Sequence, residues 1–118
     1  MLDLKIGKAT EIEASEVKME GVENVSIRWL ISKADGAPNF AMRLFEVGPG
    51  GHTPLHSHEW EHEVYIVSGE GILTFEGEEK PFIGGDFIFV PGGNMHRFSN
   101  TGESPARFLC LVPNSSYD

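Results

Sequence analysis

From Asp35 onward the chain is cut into short pieces by glycine and proline: Asp35-Gly36-Ala37-Pro38, Gly48-Pro49-Gly50-Gly51, Ser68-Gly69-Glu70-Gly71, Glu76-Gly77-Glu78, Gly84-Gly85-Asp86, Pro91-Gly92-Gly93-Asn94 and Asn100-Thr101-Gly102. Glycine reaches positive φ and proline fixes φ, so these clusters mark turns, and turns roughly 8 to 12 residues apart leave room for short strands only. The pieces between them (40–47, 63–67, 72–75, 87–90, 95–99 and 106–112) are rich in aromatic and β-branched residues and too short for a three-turn helix. Residues 24–32 read as a further strand centred on Val25, Ile27 and Trp29, and the only helix-like stretch is 11–19. Many short strands with regular turns predict an all-β sandwich, barrel or jelly roll.

A chain of 118 residues with 40% hydrophobic and 23% charged residues has room for one domain. The expected division is an N-terminal arm or edge strand over 1–24, a barrel domain over 25–114 and a polar tail over 115–118 that frays. Nine basic against eighteen acidic residues give a net charge of −9, the wrong sign for neutralising phosphates. Nucleic acid and anionic membrane surfaces are therefore not expected partners. Cys110 is the only cysteine, which excludes an intrachain disulfide and a cysteine-held zinc or iron–sulfur site and makes a reducing cytoplasm the default location. The first twenty residues lack the basic start and apolar run of a signal peptide, and no apolar stretch approaches the roughly 18 to 20 residues that span a bilayer. A soluble protein is expected.

Four of the five histidines form a pattern. His56 and His58 are two residues apart, so on a strand both imidazoles share one face with Cα atoms roughly 6 to 7 Å apart, within reach of one metal. Three residues later His62 opens the next strand, where it can point back at the same centre. The turn Pro91-Gly92-Gly93-Asn94 then delivers His96 onto another strand. A lone histidine is most often a surface or hydrogen-bonded residue, and H-x-H also arises by chance; the convergence of His56, His58, His62 and His96 is what points to a divalent transition metal. His52 shares the face of His56 only if the strand runs unbroken through Pro54, and is given a rim or solvent role.

These residues resemble the two motifs of the cupin family. The first, G-x5-H-x-H-x3-E-x6-G, matches Gly50, His56, His58, position 62 and Gly69; the second, G-x5-P-x-G-x2-H-x3-N, matches Gly85, Pro91, Gly93, His96 and Asn100. One position departs from the pattern, because His62 stands where the family has glutamate. Glu63 would face the other way if His62 faces inward. The sequence thus resembles small single-domain cupins with a tetrahistidine site, some of which bind manganese. That resemblance implies a double-stranded β-helix, or jelly-roll, barrel, a homodimer, and one metal inside the barrel: manganese by preference, with Fe, Zn, Ni, Co or Cu as alternatives.

Alternation nominates the pocket wall. With His62 inward, Val64 and Ile66 follow; with His96 inward, so does Phe98. On 40–47 either Phe40, Met42 and Leu44 or Phe45 and Val47 can face the metal, and the even set is favoured because Arg43 should reach water. Both faces of 106–112 are apolar, and Phe108, Cys110 and Val112 are placed inward by resemblance to tetrahistidine cupins with a cysteine near the site. For most of these positions plain barrel core is the simpler role. Trp60 either lids the pocket or caps the barrel end, and Glu59 and Glu61 form a solvated loop face. Cys110 has no activating base in view and reads as a small core residue.

The leading functional expectation is a metal-dependent oxidoreductase of dioxygenase type acting on a small organic substrate. A decarboxylase is disfavoured by the missing ligand carboxylate and proton donor. A Lewis-acid isomerase or lyase needs an inward general base, and Tyr65 has the wrong parity for one. A non-catalytic module binding a small ligand or metal is the third reading.

Overall fold

The computed structural model describes residues 3–117; positions 1 and 2 of the expected arm and 118 of the expected tail lie outside them. Nine strands follow in order: β1 (Ser15–Glu16), β2 (Glu23–Ile31), β3 (Phe40–His52), β4 (His62–Ser68), β5 (Glu70–Phe75), β6 (Glu78–Ile83), β7 (Phe87–Val90), β8 (His96–Asn100) and β9 (Ala106–Pro113). Among the described residues the only helical pieces are three short 3-10 turns, and no helix is long and apolar enough to cross a membrane. The strands form one curled antiparallel sheet in the order β6-β5-β8-β3-β9-β4-β7, with β2 alongside β3 and β1 on the edge of β2. This is an all-β jelly-roll barrel.

Strict alternation builds its interior. On β4, His62, Val64 and Ile66 are buried while Glu63, Tyr65 and Val67 face out. On β8 the inward set is His96, Phe98 and Asn100, and on β9 it is Ala106, Phe108, Cys110 and Val112. Asn100 is buried without cost because it donates to the Val47 and Ser104 carbonyls and accepts from the Gly102 amide. Its role is to hold the turn after β8.

Three local expectations change. Residues 11–19 form no α-helix: a 3-10 turn ends at Glu11, and Ser15 and Glu16 pair with Ile27 and Ser26 of β2. Backbone pairing to β2 wins because the stretch has no continuous apolar stripe to bury. The glycine cluster at 48–51 does not end its strand; Gly50 at φ 76° bends β3 where its pairing with β2 slips register, and the strand continues to His52. β6 was not anticipated, since Glu78, Glu79, Lys80 and Pro81 are exposed and only Phe82 is buried. A polar edge strand carries little hydrophobic signal.

Candidate metal centre

Backbone contacts bring the histidines together before any side chain acts. His56 and His96 form an antiparallel bridge, each amide donating to the other's carbonyl at 3.2 and 3.0 Å. Just upstream, the Thr53 amide donates to the Phe98 carbonyl and the Phe98 amide donates to the Thr53 hydroxyl, each at 2.9 Å. The Gly93 amide donates to the His58 carbonyl at 2.7 Å, so the turn before β8 carries the loop that bears His58. Only glycine fits at 92, because a Cβ there would run into the Glu59 carbonyl oxygen.

The ligand atoms of His56, His58 and His96 lie within 4.8 Å of one another, a spacing fit for one metal ion. His62 borders this group: its Nε2 is 2.9 Å from Nε2 of His58, and its ring centroid is 4.5 Å from that of His58 and 5.2 Å from that of His96. His52 stands apart, its Nδ1 at 3.3 Å from the Thr53 carbonyl. The outer nitrogens are held from behind. Nδ1 of His58 meets the Trp60 carbonyl at 3.2 Å, Nδ1 of His96 the Asn94 carbonyl at 2.9 Å, and Nδ1 of His62 the Cys110 sulfur at 3.1 Å. Metal-bound imidazoles are oriented this way, with one nitrogen tied to an outer acceptor and the other left for the ion. The residues present fit a transition metal.

Electrostatics agree with that fit. Burial pushes His62 down to about 3 and His56 to about 4, the other imidazoles adding to the effect, and burial also lowers His58 against the opposing Trp60 hydrogen bond. Neutral imidazole is the form that coordinates. The Cys110 thiol is raised by burial while Arg43 pulls the other way.

Beside the histidines lies a cavity of about 260 Å³ with a mostly apolar wall. Trp60, Phe98, Phe108 and Cys110 line it, and Trp60 stacks on His58 with centroids 4.3 Å apart. Val64 and Ile66 are buried in the barrel core and are not part of this wall. The expected parity of β3 is reversed: Phe40 is 58% exposed, Phe40, Met42 and Leu44 do not reach the cavity, and Arg43 and Phe45 do. A charged side chain was expected to seek water. Arg43 instead lies against the rings of Trp29 and Phe45, 5.5 and 4.9 Å from their centroids, and donates from Nη2 to Cys110 Sγ at 3.1 Å.

Both ends of the chain also contribute wall residues that were not expected. Val17, Met19 and Val22 close the cavity from the N-terminal arm, and Tyr117 closes it from the tail expected to fray. Tyr117 packs on Trp29 with centroids 4.8 Å apart and accepts the Lys33 amide on its hydroxyl. The period-two run Val25, Ile27, Trp29 contained the signal for β2; nothing local marked Tyr117.

A jelly-roll barrel enclosing a histidine cluster beside an apolar cavity defines a class of small barrels whose imidazoles could hold a metal ion. The chain belongs to the cupins, its residues 43–112 matching the Cupin domain model. It is 32% identical over 120 residues to the oxalate-binding protein of Thermotoga maritima, covering 92% of this chain and 98% of that one. Among solved structures it resembles the polyketide cyclase RemF from Streptomyces resistomycificus, with a TM-score of 0.90 and 36% identity over 95% of this chain and 80% of that one. A Thermotoga maritima protein described as a predicted oxalate decarboxylase gives a TM-score of 0.82 and 29% identity over 92% and 98% of the two chains.

Proposed function

We propose that this cupin is a metal-dependent oxidoreductase of dioxygenase type, holding one divalent transition metal, manganese by preference, on His56, His58, His62 and His96. The observation that carries the reading is the imidazole cluster facing a mostly apolar cavity large enough for a small organic molecule. Neutral imidazoles leave a divalent ion its full charge; the metal supplies Lewis acidity and, as manganese or iron, accessible redox states. The chain supplies the rest. Phe45, Phe98 and Phe108 exclude water from the cavity, Trp60 steadies His58 by stacking, and Cys110 holds the orientation of His62.

Decarboxylation fits less well, because no carboxylate lines the cavity among the described residues and Glu63 faces outward. A Lewis-acid reading, isomerase, lyase or cyclase, is favoured by the similarity to the polyketide cyclase. Elemental analysis of protein purified without added metal, followed by oxygen uptake over enolisable and phenolic substrates, separates the readings. Manganese or iron with uptake supports the oxidoreductase. A redox-inert metal with substrate turnover but no uptake selects the Lewis-acid enzyme, and binding without turnover a non-catalytic module.

A homodimer is part of the proposal. The outer faces of β4 and β7 carry Tyr65 directly opposite Phe87, with Val67 and Phe89 beside them, all exposed and apolar. Such a patch suits a self-complementary contact with a second copy, which sedimentation reads as a dimer mass.

A further inference from the structure

We propose that Arg43 is the anion-recognition residue of the cavity, and that the molecule bound there is an apolar-bodied, preferably aromatic, organic acid whose ionised oxygen pairs with this guanidinium. The inference deepens the reading of the cavity as a substrate site and rests on it. Arg43 lines the cavity, half-buried, in a chain whose net charge is −9, yet no carboxylate pairs with it among the described residues. Its Nε is out of solvent with no hydrogen-bond partner, and the one acceptor that Nη2 finds is a thiol, a weak one.

A guanidinium in such surroundings is costly unless something completes its hydrogen bonds. The rings of Trp29 and Phe45 offer their faces to the cation and accept nothing along the N–H directions. Guanidinium donors in a fixed fork match a carboxylate or an ionised phenol or enol. The rest of the wall, with Val25, Ile27, Phe98 and Phe108, suits the apolar body. Through Cys110, Arg43 is two hydrogen bonds from His62, so a bound acid group lies at the metal side of the cavity.

Both tryptophans of the chain, Trp29 and Trp60, line the cavity, so their fluorescence reports its occupancy. The test titrates benzoate and neutral benzyl alcohol into protein loaded with Mn(II) and into metal-free protein, comparing the unaltered chain with R43K and R43Q. Expected is benzoate binding at least about tenfold tighter than benzyl alcohol, a loss of about 10- to 100-fold for benzoate in R43Q that exceeds any loss for benzyl alcohol, and partial retention in R43K, in metal-loaded and metal-free protein alike. Equal affinity for the two probes, or benzoate binding that R43Q leaves intact, overturns the proposal. Should R43Q not fold, R43K decides: a loss of fork geometry must still weaken benzoate at least about threefold. Arg43-dependent benzoate binding that persists in a chain found to take up no metal sustains this inference while refuting the metal reading.

Discussion

Nδ1 of His62 lies 3.1 Å from the sulfur of Cys110, a buried thiol that also receives Nη2 of Arg43 at 3.1 Å. In the proposed four-histidine centre, a barrel cysteine takes the place of the carboxylate or carbonyl that usually orients a metal-bound imidazole. Cys110→Ala removes that acceptor and should lower metal affinity by about 10- to 100-fold, with Cys110→Ser restoring part of it, as read by competition with a chromophoric chelator. Equal affinity in all three proteins would show that the contact is packing alone.

His58 and His52 separate ligand from bystander. Loss of His58 takes a nitrogen from the three-histidine cluster and loosens Trp60, so His58→Ala should retain little metal after dialysis. His52→Ala should retain as much as the unaltered chain, since His52 is tied only to the neighbouring carbonyl. Matching metal contents in the two variants would refute the assignment.

Acid should destabilise the metal-free protein through the same residues. His56 and His62 are held at about 4 and about 3 when folded, below the ordinary 6.5, so between these values the unfolded chain binds more protons. Their contribution is fully present above about pH 6.5 and is lost as the pH falls through about 4 toward 3. Urea midpoints measured from pH 7.5 to 4 should fall monotonically, and more shallowly in His62→Gln; a flat profile would contradict the buried neutral assignment.

Much of this was legible in the residues because period-two alternation and glycine-marked turns are local signals. His62, Val64 and Ile66 face inward as their spacing implies; on β9 both faces are apolar, and Phe108, Cys110 and Val112 face inward as the resemblance to cupins with a cysteine near the site implied. The reversal on β3 has another origin. Arg43 turns inward because Trp29 and Phe45 offer ring faces and Cys110 an acceptor, and those partners come from β2 and β9 as well as its own strand. Tyr117 was hidden for the same reason: its place depends on Trp29 and Lys33, far away in sequence. β6 escaped notice because an exposed edge strand needs only backbone pairing to β5.

The turn before β8 is as important to the centre as the ligands. Gly92→Ala places a methyl group against the Glu59 carbonyl and must push the His58 loop away from His96. A loss of about 1 to 3 kcal/mol in stability is expected, with weaker metal retention, by thermal melting and elemental analysis. A variant with unaltered melting and metal content would mean that the loop moves freely.

The most direct measurement is anomalous X-ray scattering at the metal's absorption edge from crystals of protein purified without added metal. One peak is expected, bonded at about 2.0 to 2.3 Å to ring nitrogens of His56, His58 and His96, with His62 as the fourth ligand. A cluster without a peak, or a metal held elsewhere, would contradict the assignment.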